Sequence, residues 1–189
     1  MTFDPVLISF RVFALEDLPL LYRWLNTNHV AQWYGAGHVR YPAYERVVER
    51  YAPRIRGEEP TDSYVILYAG APIGYIQTYR VADYPEDRWQ VGAGAAAIDL
   101  LIGEADLVYR GLGPKILRRF LNEIVFADPG VTSCVIGSSV SNAAAIRAYE
   151  KAGFKHQKTV HVAGEPEPEY LMRTAREDVI DISSDSSPR

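Results

Sequence analysis

A single carboxylate, Asp99, interrupts the apolar run AAAIDLLIG at residues 95–103. An unpaired charge inside a protein core is energetically expensive, so a carboxylate in such a strand either is buried at a cost or lines a cleft. We expect the cleft. An ordinary aspartate is a weak base at neutral pH. The chemistry expected of Asp99 is therefore to attract an ammonium group and to accept its proton, directly or through water.

A glycine-containing turn, RGLGPK at residues 110–115, follows that run and precedes an apolar helical pattern. Gly111 and Gly113 place unpaired backbone N–H groups at the start of the helix, where such groups bind anions. Pro114 suits the first helical position, and Arg110 and Lys115 add positive charge on both sides. The turn favours a phosphate or pyrophosphate, although most glycine pairs before a helix are only turns. It lacks the Gly-Lys-Ser/Thr ending of a Walker A loop and the third glycine of a dinucleotide fingerprint.

The composition restricts the possible partners. The chain has 189 residues, 48% of them hydrophobic, and 20 Lys and Arg against 24 Asp and Glu leave a net charge of −4. This balance argues against nucleic acid and anionic membranes and favours a cationic small molecule. One cysteine, Cys134 in an apolar run, excludes an internal disulfide and a cysteine-built metal site. No apolar segment reaches the length of a membrane span. We expect a cytoplasmic protein, monomeric or homodimeric, without a metal.

Short strands and helices alternate along the chain. Apolar periodicity predicts helices at 41–57, 112–126 and 142–153, and at 14–26 with Leu15, Leu18, Tyr22 and Leu25 on one face. Strands are predicted at 7–13, 95–103, 131–137, 155–162 and 170–176, and a tight AGAP turn makes a hairpin of 63–81. The pattern predicts one α+β domain over residues 1–176 with a mostly antiparallel sheet. Residues 177–189 are expected to form a disordered tail.

Two segments together resemble the GCN5-related N-acetyltransferase (GNAT) superfamily. They are the turn at residues 108–113 and the stretch SSVSNAAAIRAYEKAGF at 138–154. The first matches a pyrophosphate loop of the form Gln/Arg-x-x-Gly-x-Gly/Ala, except that Val108 occupies its opening position. The second matches a helix ending in Tyr-Glu-Lys-Ala-Gly-Phe. The resemblance covers nearly the whole chain in element order. It implies a GNAT fold, with a mixed, mostly antiparallel central sheet flanked by helices, and acetyl-CoA as co-substrate.

Within the superfamily the chain is most similar to the aminoglycoside 6′-N-acetyltransferases, which inactivate kanamycin-type antibiotics. The similar features are an N-terminal helix before the segment WYG at 33–35, the strand PIGYIQTY at 72–79 and the strand with a lone carboxylate. The resemblance implies acetylation of a primary amine of such an antibiotic, the 6′-amine, and hence resistance. It implies that the acceptor is bound by Trp33, Tyr34, Gln77, Asp99 and Glu165. Taken singly, these aromatic residues are also compatible with surface packing, and Gln77 with an ordinary strand position.

The resemblance also assigns the other steps of acyl transfer. Tyr149 would protonate the departing thiolate, and a backbone N–H near Leu101 would polarise the thioester carbonyl. Asn142, whose position first suggests a helix cap, would contact the pantetheine arm. For Tyr149 the alternative is a helix tyrosine packed in the core. The residues implied to hold acetyl-CoA are Leu101, Arg110, Gly111, Leu112, Gly113, Pro114, Lys115, Asn142, Ala145 and Tyr149.

On the acceptor side the chain departs from these relatives. Where they have a run of glutamates, this chain has RWQVGAGAAA at 88–97, and Gly137 stands in place of an aspartate that binds drug amines. A polyamine aminosugar is still expected as acceptor, but with different contacts. Each acid taken singly is typical of a solvated loop. Acidic side chains return at Asp83, Glu86, Asp87 and Glu165.

Two other functions remain open on the sequence. The stretch AIDLLIGEADLVYRGLG also resembles the lysine-side-chain acyltransferases of siderophore biosynthesis, but those typically carry histidine where Asp99 stands. A binding module that keeps the acyl-CoA site without catalysis is the second alternative. The presence of both Asp99 and Tyr149 argues against it.

Overall fold

The computed structural model describes residues 3–34, 43–84, 89–162 and 167–179. Four residues named above, Gly35, Glu86, Asp87 and Glu165, lie outside these ranges. Among the described residues, no helix has the length and apolar character needed to cross a membrane.

A seven-stranded sheet forms the centre of the fold. Its strand order is β1-β2-β3-β4-β5-β7-β6, and every neighbouring pair is antiparallel except β4 and β5, which are parallel. The predicted α+β class, the mixed sheet and the hairpin are confirmed. The strands are β1 Ile8–Val12, β2 Asp62–Tyr68, β3 Ala71–Arg80, β4 Ala95–Ile102, β5 Ser133–Ser139, β6 Lys155–Val160 and β7 Glu169–Ala175.

The helices follow the predicted pattern except near the N-terminus, where a short helix at Asn28–Ala31 was not predicted and the first helix starts later than expected. Leu15 was expected on the buried face of the first helix, but it lies in a 3-10 turn, Leu15–Asp17, and is 45% exposed. The Asp17 carboxylate accepts hydrogen bonds from the Ala14 amide and from Arg11, which hold this turn before the helix starts. The helices are α1 Leu18–Leu25, α2 Asn28–Ala31, α3 Tyr44–Ile55, α4 Leu112–Glu123 and α5 Ala143–Ala152.

Alternation along the strands gives the sheet two different faces. Ile76, Ile98 and Ile136 belong to the core cluster that contains the buried side chains of α4 and α5. On the opposite face, Tyr75 and Leu101 pack with the buried side chains of α1 and α3. A smaller cluster on that same face joins β4, β5 and β7 through residues 97, 135 and 171. Asp99 and Gln77 share the second face because strand side chains alternate with period two.

The parallel strands β4 and β5 pair over a short distance only. Their paired residues are Ala95 with Ser133, Ala96 with Cys134 and Ala97 with Val135. β4 stays paired with β3 as far as Ile102. The last residues of β4 therefore have a neighbouring strand on one side only, and an opening begins next to Asp99.

The domain extends slightly beyond its predicted end. Residues 176–179 form a helical turn after β7, and Val179 is buried in the main core. Residues 177–179 therefore pack with the domain rather than with the tail expected from residue 177, and residues 180–189 lie outside the described ranges. Cys134 is a free, buried thiol, as its apolar surroundings indicated.

Gly103, at the end of β4, is expected to be essential for packing. A Cβ built at this position overlaps the ring of Trp24, which is fully buried and donates a hydrogen bond to Glu104 Oε1 over 2.9 Å. Gly103→Ala should lower the free energy of unfolding by about 1–3 kcal/mol, the usual cost of overpacking a core. Denaturant titration measures the change.

Gly113→Ala is the matched control, because a Cβ there meets its nearest atom, Ala148 Cβ, at 3.7 Å. This variant should be as stable as the parent chain or slightly more stable, since alanine favours helix. Equal stability of the two alanine variants would contradict the packing role of Gly103.

Candidate active site

A cavity of about 360 Å³ lies beyond the end of the β4–β5 pairing, between the end of β4, the turn before α4, and α5. Most residues that the sequence assigned to acyl-CoA binding come together in its wall. Those present there are Leu101, Gly111, Leu112, Gly113, Pro114, Asn142, Ala145 and Tyr149.

The two glycines of the turn have different roles. Gly111 precedes α4 with φ of 80°, a left-handed conformation that favours glycine. Gly113 has no such backbone requirement, and a side chain there would enter the space between α4 and Ala148 of α5. Pro114 is the third residue of α4, not the first as predicted, but its missing N–H still falls in the turn that has no intrahelical partner. The turn thus leaves room and backbone donors for an anion.

The two cations beside the turn, Arg110 and Lys115, are not among the residues that line the cavity. Arg110 donates to the Asp106 carbonyl and lies over the Phe3 ring, and Lys115 donates to the Phe3 carbonyl. Neither side chain belongs to the described wall of the cavity; both hold the N-terminal segment. Arg147 and Lys151 of α5 line the cavity instead. Their i,i+4 spacing within the recognised helix could have indicated this, because such residues share a helix face.

Backbone donors at the opening come from the residues flanking Leu101. The Gly103 amide donates to the Ile73 carbonyl of β3 over 2.8 Å. In an antiparallel ladder, alternate residues point their N–H groups to the same neighbour, so Leu101 also faces β3. The N–H groups of Leu100 and Ile102 then face the open side. A contact of the Ile102 carbonyl supports this orientation: His29 Nε2, on α2, lies 3.0 Å from the Ile102 oxygen.

Asn142, which caps α5, and Tyr149 within it both stabilise the helix or core and line the larger cavity. Asn142 caps the helix, and its side-chain oxygen accepts a hydrogen bond from the Ala145 amide at 3.2 Å. Tyr149 is buried in the core and also lines the cavity, a position compatible with both interpretations of this tyrosine. Burial raises the pKa of Tyr149, and the negative charges of Asp99 and Glu169 raise it further. Tyr149 therefore stays a neutral phenol at physiological pH.

A second cavity, of about 230 Å³, lies on the sheet face that carries Asp99. Gln77 is opposite Asp99 in the β3–β4 register and donates from Nε2 to Asp99 Oδ2 over 2.7 Å. Arg54 of α3 and Trp89, which follows the loop after β3, also line this cavity. The sequence analysis assigned no role to either residue, since nothing in the chain pattern places them next to Asp99.

A chain of hydrogen bonds fixes the Gln77 amide. Its Oε1 accepts from the Tyr75 hydroxyl at 2.7 Å and from Arg54 Nη1 at 2.6 Å, so its Nε2 must face Asp99. The Tyr75 hydroxyl also contacts Ser63 Oγ at 2.8 Å. Burial raises the pKa of Tyr75 to about 12, against the opposing charge of Arg54. The Gln77 amide, fixed in this orientation, therefore holds the Asp99 carboxylate in place.

Arg54 brings a positive charge into the same cavity. Its guanidinium donates to Glu59 Oε2 at 3.1 Å and lies 4.9 Å from the centre of the Tyr51 ring. Burial opposes this charge, but the surrounding tyrosines and Glu59 raise the pKa of Arg54, so it stays protonated. The cavity has a cationic side at α3 and the Asp99 carboxylate on β4.

Trp33 and Tyr34, predicted to bind the acceptor, line the larger cavity with His29. Gln77 and Asp99 line the smaller one, so the structure divides the predicted acceptor residues between two neighbouring cavities. Asp99 connects them electrostatically, because its charge acts on the Tyr149 phenol in the wall of the larger cavity.

Within the described parts of the chain, no cluster of three or more His, Cys, Asp or Glu side chains is arranged to hold a metal ion.

Comparison with known proteins agrees with this geometry. The family model described as an acetyltransferase (GNAT) domain matches residues 14–162. The aminoglycoside N(6′)-acetyltransferase type 1 of Klebsiella pneumoniae is 36% identical over 169 residues, which are 88% of this chain and 83% of that protein. The crystal structure of AAC(6′)-Ib in complex with coenzyme A and kanamycin superposes with a TM-score of 0.81 at 34% identity, covering 93% of this chain and 99% of the other.

Proposed function

The chain belongs to the GNAT acetyltransferase superfamily, and we propose that it transfers the acetyl group of acetyl-CoA to the 6′-amine of an aminoglycoside, which would confer resistance. The observation that carries the proposal is the 36% identity to an aminoglycoside N(6′)-acetyltransferase over 169 residues. The position of Asp99 and Tyr149 in adjoining cavities supports it. Acetyl-CoA as co-substrate and the free thiol of Cys134 favour action in the cytoplasm, by a monomer or homodimer.

Acetyl-CoA fits the larger cavity. The start of α4 offers backbone N–H groups and a helix dipole to a pyrophosphate, and Gly113 leaves the space for close approach. Arg147 and Lys151 supply positive charge from α5. The pantetheine arm would lie along the open side of β4, where the N–H groups of Leu100 and Ile102 can bind the arm and polarise the thioester carbonyl.

The acceptor would enter from the smaller cavity, where Asp99 attracts its ammonium group. In the reaction, the neutral amine nitrogen forms a bond to the thioester carbon and the carbon–sulfur bond breaks. The bound ammonium has by then released one proton to water, and the attacking nitrogen loses its second proton to Asp99, directly or through water. The sulfur gains a hydrogen bond and then a proton from Tyr149, and water returns a proton to the phenol. A phenol with a raised pKa is a weak acid, so Tyr149 acts as a hydrogen-bond donor until the leaving sulfur is basic enough to take the proton.

The function is tested by measuring thiol release from acetyl-CoA with a panel of acceptors. The panel contains 6′-amino and 6′-hydroxy aminoglycosides, linear polyamines, lysine derivatives and a neutral aminated sugar. Turnover only with 6′-amino aminoglycosides is the expected result. Turnover with lysine derivatives instead would support a lysine acyltransferase, and coenzyme A binding without any turnover would support a binding module.

Gly113→Val should weaken acetyl-CoA binding while the chain stays folded. The valine side chain fills the space between α4 and Ala148 that the pyrophosphate would need, whereas the backbone conformation of residue 113 tolerates a side chain. Calorimetric titration with coenzyme A measures the affinity, and circular dichroism checks the fold. Unchanged affinity in the valine variant would place the pyrophosphate elsewhere.

Asp99→Asn should reduce turnover of the amine by roughly 10²–10⁴-fold. The asparagine keeps the shape and can still accept the hydrogen bond from Gln77, but it loses the charge and the proton acceptor. Acetyl-CoA affinity should hardly change. Asp62→Asn, which removes the same charge from an exposed position on β2, is the control. If the Asp99 variant were unstable but fully active in its folded fraction, Asp99 would be a structural carboxylate.

Tyr149→Phe should lower kcat and leave the KM of the acceptor nearly unchanged. The variant keeps the buried ring and loses only the hydroxyl that serves the sulfur. The loss should fall toward the lower end of the roughly 10²–10⁴-fold contribution of a general acid, because water can replace the hydroxyl in part. Steady-state kinetics at saturating acetyl-CoA measures it, and an unaltered kcat would remove Tyr149 from the mechanism.

A further inference from the structure

We propose that Arg54 of α3 is a specificity-determining residue: its guanidinium donates a hydrogen bond to a hydroxyl oxygen near the reacting amine of the acceptor and rejects a second ammonium group there. This inference rests on the proposed function and specifies the group that must accompany the reacting amine. The evidence is the place of Arg54 in the wall of the smaller cavity, the contacts of its guanidinium, and its fixed separation from Asp99.

Helix α3 brings positive charge to the cavity that holds Asp99. Arg50 and Arg54 are four residues apart, so they share one side of the helix, and both line the smaller cavity. Among the described residues of this wall, Asp99 is the one carboxylate that faces them. The described wall therefore attracts an ammonium group at β4 and repels one at α3.

The contacts of Arg54 leave one edge of its guanidinium available. Nη1 donates to Gln77 Oε1 over 2.6 Å, and Nε donates to Glu59 Oε2 over 3.1 Å. Nη2 has no hydrogen-bond partner among the described residues. The hydroxyl of Thr174 is the one buried side-chain group without a partner in this part of the chain, so Nη2 belongs to the accessible 14% of the Arg54 side chain. The cavity is the space that this side chain lines.

Gln77 keeps the guanidinium and the carboxylate at a fixed separation. Arg54 Nη1 and the Asp99 carboxylate contact opposite ends of the same amide, over 2.6 Å at Oε1 and 2.7 Å at Nε2. An amide group measures about 2.2 Å from oxygen to nitrogen, so Nη1 and Asp99 Oδ2 lie within about 8 Å of each other. The Tyr75 hydroxyl also donates to Gln77 Oε1, which keeps the amide in this orientation. A single sugar ring with its substituents can span this separation.

The chemistry of the guanidinium determines what it can bind. Burial lowers the pKa of Arg54, but the nearby tyrosines and Glu59 raise it further, so the group stays protonated. A guanidinium has only hydrogen-bond donors, and so does an ammonium group, whereas a hydroxyl oxygen can accept. An ammonium at Nη2 would therefore meet both like charge and opposing donors. The acceptor that fits is an aminosugar with its reacting amine at Asp99 and a hydroxyl at Arg54.

The proposal predicts a preference between acceptors that differ at one position. The probes are pairs of 6′-amino aminoglycosides, identical except for a hydroxyl or an amine at one position of the ring that bears the 6′-amine, with each position of that ring represented. In one pair, the kcat/KM of the parent chain should be about 10- to 100-fold higher for the hydroxyl compound, because a charge-assisted hydrogen bond is replaced by repulsion. Absence of a preference in every pair would overturn the proposal.

Arg54→Met removes the charge and the donors and keeps an unbranched side chain. The preference should disappear, and the KM of acetyl-CoA should hardly change, because Tyr75 still holds the Gln77 amide. An equal loss with both compounds and an unchanged preference would give Arg54 a purely structural role and overturn the proposal. Arg46→Met is the matched control, since it removes the same charge from α3 at a side chain that is 69% exposed. It should keep the preference.

Glu59→Gln tests the same contact without altering Arg54. The Glu59 side chain is 39% exposed, so the variant should fold, and its amide oxygen can still accept from Arg54 Nε. With the neighbouring negative charge removed, the guanidinium should reject the amino compound more strongly, and the preference for the hydroxyl compound should increase. A preference that stayed the same or decreased would contradict the proposal.

Calorimetric titration of the coenzyme A-loaded protein with the discriminated pair separates this inference from the proposed function. The parent chain should bind the hydroxyl compound more tightly, and Arg54→Met should bind the two alike. That result without any turnover would keep the contact and reject the acetylation. Turnover by the parent chain without a preference in either measurement would reject the contact and keep the acetylation. Absence of binding by the parent chain would reject the contact as well.

Discussion

The separation of two parallel strands is the constraint on which the rest of the site depends. β4 and β5 share only three residue pairs, and all three β4 partners are alanines. Beyond them, the backbone groups of β4 that face away from β3 need other partners, because buried N–H and C=O groups are rarely left unpaired. His29 supplies one, on the Ile102 carbonyl. The remaining donors face a cavity, so the missing part of the ladder provides the binding surface.

The opposite requirement governs the smaller cavity, where polar groups are held tightly. Ser63, Tyr75, Gln77 and Asp99 form a continuous hydrogen-bonded chain across β2, β3 and β4. Because the Gln77 oxygen accepts from two donors, its amide cannot turn without losing both. The carboxylate at the end of this chain is thereby held in one position. Arg54 gives the cavity a cationic side, so under the proposed function a cationic acceptor would be oriented by repulsion as well as by attraction.

The cations that lie beside the glycine turn in sequence are not the cations that line the cavity in the folded chain. Arg110 and Lys115 are beside the glycines in sequence, yet both are used to hold Phe3 and the chain around it. Arg119, one turn further along α4, holds the carbonyls of Pro5 and Val6 in the same way. The cations available to the cavity come from α5, which approaches the turn only in the folded chain. The cations that anchor the N-terminal segment therefore lie on and just before α4, whereas those that line the cavity lie on α5.

The sequence by itself determined what depends on local order. Alternation and apolar periodicity predicted the strands and most helices, since these patterns reflect burial of one face, and the turn at Gly111 and the helix with Tyr149 indicated the acyl-CoA site. The cleft position predicted for Asp99, a carboxylate in an apolar strand, agrees with its place in the wall of the smaller cavity. The prediction that Leu15 lies in the first helix was wrong. The Asp17 carboxylate holds Leu15 in a 3-10 turn, and apolar periodicity does not detect such a hydrogen bond.

Tertiary structure alone decided which side chains share a cavity. Arg54 and Trp89 share a cavity with Asp99 only because the packing of α3 and of the segment after β3 brings them to the same face of the sheet. Tertiary structure also decides the place of Trp33 and Tyr34. They line the larger cavity with the residues predicted to bind acyl-CoA, and Asp99 does not line that cavity. The physical reason is that strand order and helix placement follow from burying the whole core at once. A local pattern specifies the face on which a residue lies, but not the residue that faces it.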